Sequence, residues 1–157
     1  MTDLPTHVVR ITLQDDPKVV REIELPSDRK LVDLAQGIVR AFGFDFDHAF
    51  GFYSALEGHV TRSQPKYELF ADIDDPAIAE WTDAKSVKRT TIAEAFPAVG
   101  HKMLFLFDYG DDWRFVVEVI GGGKKDRKAR YPKMLKKIGE APPQYRWDEE
   151  DEEEGSD

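Results

Sequence analysis

Three carboxylates, an indole and a guanidinium fall within seven residues, Asp108-Tyr-Gly-Asp-Asp-Trp-Arg114, at an expected hairpin tip. Carboxylates that converge there could hold a divalent cation, since hard cations take oxygen ligands. They could also serve as acid and base if their surroundings drove their pKa values apart. The competing reading is turn chemistry: Gly110 supplies the positive φ of a tight loop, and Asp side chains bond to loop amides. Histidine is scarce, at positions 7, 48, 59 and 101. His48, in Phe46-Asp-His-Ala-Phe50, opens an expected strand beside Asp45 and Asp47 and is the one of interest. A lone histidine in such a place is more often a packed or hydrogen-bonded ring than a ligand.

Other motifs fail on spacing. There is no His-x-x-x-His pair for a zinc site. Asp72-Ile-Asp-Asp75 and Asp45-Phe-Asp47 lack the glycine and distant glutamate of a calcium loop. Gly121-Gly-Gly-Lys-Lys125 has no hydroxyl residue after its lysine, and Glu118 stands where a P-loop needs glycine. None of the five serines sits in a Gly-x-Ser-x-Gly elbow. No catalytic residue, metal ligand or cofactor is assigned.

Residues 124–137 hold eight bases and one acid, with Tyr131 among them. Lys124, Lys125, Arg127, Lys128 and Arg130 are the candidates for contact with nucleic-acid phosphates, a contact that weakens steeply with salt. The plainer reading is a solvated loop that answers the acidic run further on. Residues 148–157 hold eight acids and no base, out of 31 acids in the chain. Without them the remaining 23 acids face 22 bases, so all but one unit of the formal charge of −9 belongs to this tail. A run of that kind repels itself and has nothing to bury, and is expected to be disordered. The tail could also lie on the basic segment as a mimic of polyanion, or engage a basic protein partner.

The elements that must hold these residues are partly legible. With 157 residues, 41% hydrophobic and 34% charged, the chain suits one domain at 1–147 plus the tail. It has no cysteine and no asparagine, which excludes disulfides, thiol chemistry and N-glycosylation. No apolar stretch reaches membrane-spanning length, and the first residues lack signal-peptide features, so a cytoplasmic protein without membrane contact is expected. His7–Leu13 and Val19–Leu25 alternate as two strands around Asp15-Asp-Pro17. Leu31, Leu34, Ala35, Ile38, Val39 and Phe42 repeat at helical spacing, with Gly43 expected as the C-terminal cap. A strand is expected at 49–54. The stretch 55–90 is weakly patterned, with a strand at 66–71 and a helical turn near 76–81. Thr91-Ile-Ala-Glu94 is a capping-box pattern. Strands at 102–108 and 113–120 should flank the Asp-rich tip, and Gly121-Gly-Gly123 should break the sheet. Together these predict an antiparallel α+β domain of hairpins with one packed amphipathic helix.

Several strings then carry a resemblance: Ala41-Phe-Gly-Phe44, Asp47-His-Ala-Phe50, Thr91-Ile-Ala-Glu-Ala-Phe96, Phe107-Asp-Tyr-Gly-Asp-Asp-Trp-Arg114 and Gly139-Glu-Ala-Pro-Pro-Gln-Tyr145. From about His7 to Trp147 the chain resembles the plasmid pRi ORF-three-like family, whose members also travel as passengers of bacterial insertion elements. The resemblance implies a compact bacterial or archaeal α+β domain and no known activity. It places interest on His48, Asp108, Gly110, Asp111, Asp112 and Trp113, to which the charged run adds Arg114. Many relatives carry a histidine after the Trp-Arg pair; here Phe115 stands there, which weakens a His–Asp metal site. The function expected is a non-enzymatic binding or regulatory module associated with mobile DNA. The alternative is a metal-dependent hydrolase built on Asp108, Asp111 and Asp112 with His48 as base.

Overall fold

The computed structural model describes residues 5–73, 75–79 and 82–145. The acidic run at 148–157 lies outside them. One eight-stranded sheet carries the fold, in the order β5-β4-β3-β6-β7-β1-β2-β8. In chain order these are β1 (Pro5–Leu13), β2 (Val20–Pro26), β3 (Phe50–Tyr53), β4 (Lys66–Glu68), β5 (Lys85–Ser86), β6 (Lys102–Phe107), β7 (Trp113–Lys124) and β8 (Lys133–Ile138). Every neighbouring pair is antiparallel except β4 with β5.

Helix α1 (Leu31–Ala41) packs on one face because its apolar residues recur every three to four positions. Leu31, Leu34, Ala35, Ile38 and Val39 are buried with Val9, Ile11, Ile23, Leu25 and the β6–β7 aromatics. Phe42 and Phe44, just beyond the helix, meet Phe115 and Trp113 at ring-centroid distances of 4.7 and 4.8 Å. Gly43 takes a φ of 77°, the left-handed turn that ends the helix. Two short helices follow, α2 (Pro76–Ala79) and α3 (Ile92–Ala95), the latter opened by a reciprocal Thr91–Glu94 capping box. On the other face of β3 and β6, Tyr53, Val60, Leu104 and Leu106 form a smaller core. Among the described residues no helix is long and apolar enough to cross a membrane.

Three expectations are corrected. The glycines at 121–123 do not break the sheet; β7 runs through them and pairs with β1 as far as Lys124. A Cβ on Gly122 would stand 2.3 Å from the Thr6 carbonyl, so the absence of a side chain is what lets the two strands close there, beside a bulge at Val8/Val9. The basic segment is not all loop, because residues 133–138 form the edge strand β8. The strand expected at 66–71 ends at Glu68 and turns into a 3-10 helix at Leu69–Asp72. There the Asp72 carboxylate accepts from the Ser86 hydroxyl and the Val87 amide, which ties the turn to β5.

Candidate functional site

The loop between β6 and β7 is shaped by Asp108 rather than Gly110. Asp108 and Asp112 take φ values of 64° and 56°, whereas Gly110 is not in the left-handed region, which corrects the expected origin of the turn. Asp108 Oδ1 accepts from the amides of Gly110 and Asp111 at 3.2 and 3.3 Å, and its carbonyl accepts from the Asp112 amide. These bonds offset the conformational cost. Asp112 instead pairs with Arg114 at 3.0 Å, and Arg114 donates onward to the Gly58 carbonyl at 2.9 Å. Asp111 contributes its amide. The Asp108 and Asp112 carboxylates therefore turn to different partners. Among the described residues no group of three or more His, Cys, Asp or Glu is placed to hold a metal ion.

The other face of Asp108 meets His48, which lies in the loop ahead of β3 and not on the strand. His48 Nε2 lies 3.3 Å from Asp108 Oδ2, 3.4 Å from Asp47 Oδ1 and 3.3 Å from the Tyr145 hydroxyl. Tyr145 donates to Asp47, and that bond leads in pushing its phenol up to about 12. Gln144, buried, accepts from the Asp45 amide at 2.7 Å and donates to the Asp45 carbonyl and to Asp47. Its own carbonyl accepts from the Trp113 indole at 3.2 Å. Strings some sixty and a hundred residues apart thus meet at one point, where they clasp the 45–48 segment, the β6–β7 loop and the C-terminal segment together. Neither the charged run nor His48 with its neighbouring aspartates pointed to Gln144 or Tyr145 as partners. The Pro-Pro-Gln-Tyr string was the signal.

The basic segment runs from the end of β7 to the edge strand β8. Asp126, the one acid of the segment, caps its own turn by accepting from the Lys128 amide, and its amide donates to the Tyr131 hydroxyl at 3.0 Å. Lys124, Lys128 and Arg130 are exposed, Lys125 half-buried; none of these four has an acid within salt-bridge distance among the described residues, and Arg127 is exposed beside them. Lys136 and Lys133 stand across from Glu22 and Glu24 of β2, a cross-strand pairing that steadies the edge. Pro132 seats on α1, where a Cβ on Gly37 would meet its ring at 2.9 Å.

Between α1 and β8 runs a groove in two parts. One, of about 310 Å³, is lined by Arg29, Arg40, Tyr131 and Met134 among others. The other continues it through Arg40 and Met134 to Arg21 and Lys137. Arg21 is 1% exposed. Its guanidinium donates to the carbonyls of Ala41, Val20 and Ile138, each at 2.9 Å, and lies 5.0 Å above the Phe42 ring. Burial lowers its pKa from the ordinary arginine value, and no described carboxylate pairs with it. Arg21, Arg29 and Arg40 lie far from the basic segment in the chain, so charge counting along the sequence missed them.

Residues 6–145 match the family model described as Plasmid pRiA4b ORF-3-like protein. The crystal structure of the protein of unknown function MM3350 from Methanosarcina mazei Go1 has a similar fold, with a TM-score of 0.74. The match covers 98% of this chain and 82% of that one at 19% identity, which carries the fold alone. No curated protein matches the chain.

Proposed function

The chain belongs to the plasmid pRiA4b ORF-3-like family, and from that premise we propose that it is a non-enzymatic binding module that takes a polyanion, a nucleic acid, along the groove between α1 and β8. The carrying observation is Arg21, a buried cation whose partners within the described chain are neutral carbonyls and an aromatic face. A guanidinium keeps its charge in a protein, and a buried charge is ordinarily matched by an opposite one. A phosphate in the groove supplies that match. Arg29, Arg40 and Lys137 line the same groove, and Tyr131 offers a ring on which a base can stack. Lys124, Lys125, Arg127, Lys128 and Arg130 extend the field outward along the turn. Two of the three signature carboxylates, Asp108 and Asp112, are engaged in holding the loop, which favours this reading over the hydrolase. The acidic residues at 148–157 compete for the groove as an internal polyanion, over the roughly 8–10 Å that screening allows at ordinary ionic strength.

The test is fluorescence anisotropy with DNA and RNA oligonucleotides at low and about 150 mM salt, on the full chain and on a version ending at Trp147. The shortened protein should bind with a steep salt slope and the full chain more weakly. The double variant Arg29→Ala/Arg40→Ala should lose at least about fivefold, since each phosphate contact removed flattens the salt slope by about one. Absence of binding by either length at low salt overturns the proposal. Equal binding by both lengths overturns the role of the tail and leaves the groove.

A further inference from the structure

A second cleft lies toward the other edge of the sheet, of about 380 Å³ and lined by Thr61, Lys66, Glu68, Phe70, Thr82 and Tyr109. That volume is in the range of small-molecule sites. Glu68, the last residue of β4, is 5% exposed. One of its carboxylate oxygens accepts from the Tyr53 hydroxyl and the other from Thr82 Oγ1 at 2.5 Å. Both donors are neutral. Among the described residues no lysine, arginine or histidine comes within salt-bridge distance of it. Lys66, in the same wall, turns instead to Asp83 at 3.0 Å and to the Thr61 carbonyl at 2.9 Å. A buried carboxylate with no counter-charge is the mirror image of Arg21.

Proton bookkeeping shows what the cleft presents. Tyr53 has one hydroxyl proton and gives it to Glu68, so in its 2.6 Å contact with Tyr109 the proton comes from Tyr109. The Tyr109 oxygen is left as an acceptor. Thr82 likewise gives its proton to Glu68, and its oxygen accepts from the Ala84 amide at 3.2 Å. Burial, with the neighbouring carboxylate, pushes both phenols up, so they stay protonated and keep these directions through the neutral range. A carboxylate offers about four acceptor positions, and two are taken. Phe70 and Tyr109, with ring centroids 5.1 Å apart, add an aromatic wall. The backbone is built to admit the cluster: a Cβ on Gly51 would stand 2.7 and 2.8 Å from the two phenol oxygens.

We propose that this cleft binds a primary ammonium group on a short apolar stem, with Glu68 as its counter-charge, Tyr109 as a second acceptor and the Phe70–Tyr109 wall along the stem. An ammonium carries three donors and no acceptor, which suits a site that presents acceptors. Its charge also gains from the faces of the two rings. Calcium or magnesium fits less well, because each takes six or more oxygens and this site offers one carboxylate. Within the signature string the two neighbours therefore part: Asp108 holds the loop against His48, and Tyr109 reaches the cleft.

The experiment is calorimetric titration of the full chain with n-butylammonium chloride, with n-butanol as the uncharged comparison and Nα-acetyl-lysinamide as the same ammonium on a peptide. Butylammonium should bind saturably and butanol should not. Glu68→Gln, which keeps the shape and removes the charge, should weaken binding at least tenfold, and Tyr109→Phe severalfold. Tighter binding of the lysine derivative points to a protein lysine as the source, and tighter binding of the free amine to a small metabolite; both support the site. If Glu68→Gln does not fold, Tyr109→Phe with amide chemical-shift mapping on residues 66–70 decides: shifts elsewhere, or none, reject the site. Equal binding of butanol, no saturable amine binding by the folded parent, or unchanged affinity in folded Glu68→Gln overturns the proposal.

Discussion

Asp108 joins a left-handed backbone, two amide caps and an imidazole contact in one side chain. Its substitutions therefore separate shape from charge. Asp108→Asn keeps an oxygen for the Gly110 and Asp111 amides and a residue type that tolerates the left-handed region, so it should cost less than about 1 kcal/mol. Asp108→Ala loses the caps and places an ordinary L-residue at a φ of 64°, and should cost about 2–3 kcal/mol. Urea denaturation of the two variants and the parent reads this directly. An Asn variant as damaged as the Ala variant would mean that the charge facing His48 is what stabilises the loop. At this scale the sequence marked the right string and misjudged its parts. Residue types and spacing cannot say that Gly110 is spared the strain or that Asp112 turns to Arg114, because both follow from where Gly58 and His48 arrive from other segments. Glu68 and Tyr53 gave no signal at all. A buried carboxylate within Lys66-Tyr-Glu68 reads as an ordinary strand acid until the Tyr53 phenol and the Thr82 hydroxyl are placed on it.

The β1–β7 pair is the longest contact in the sheet, and its far end depends on one missing side chain. Gly122→Ala should destabilise by about 1–3 kcal/mol, since a Cβ 2.3 Å from the Thr6 carbonyl forces the strands apart. Gly121→Ala, whose Cβ meets nothing within 4 Å, should be neutral or slightly stabilising. Thermal unfolding of the pair checks the contrast; equal losses would assign the effect to glycine flexibility in general. Elements were legible where one face is buried and the other wet. α1 shows its helical period because one stripe meets the sheet. In β1 the residues Val9, Ile11 and Leu13 alternate because they enter the core. β8 has no such contrast. All six of its residues are exposed, including Met134, Leu135 and Ile138, so no period of two survives in Lys133–Ile138. It is a strand because β2 pairs with it, and its lysines suit an open edge that must not recruit other strands.

Across the whole molecule, two buried charges of opposite sign sit toward opposite edges of one sheet. Glu68 is in β4 and Arg21 in β2, with β3, β6, β7 and β1 between them. Five strand spacings place them about 24 Å apart. At that distance, with water over the exposed surfaces, direct Coulomb coupling between an ammonium in one cleft and a phosphate in the other is largely screened. The intervening strands form a packed core, and nothing in it favours transmission of a shift from edge to edge. Binding at the two sites should therefore be additive. Each ligand at a hundred times its Kd should raise the unfolding free energy by about 2.7 kcal/mol, and both together by about twice that. Denaturant titrations with butylammonium, with an oligonucleotide and with both would show it, on the version ending at Trp147 so that the acidic run does not enter. A combined effect that departs from the sum by more than about 0.5 kcal/mol, the scatter normal for independent sites, would mean that the sheet couples its two edges. The clasp of His48, Asp108 and Tyr145 would then be the place to look for the coupling, because the β6–β7 loop it holds also carries Tyr109 into the amine cleft.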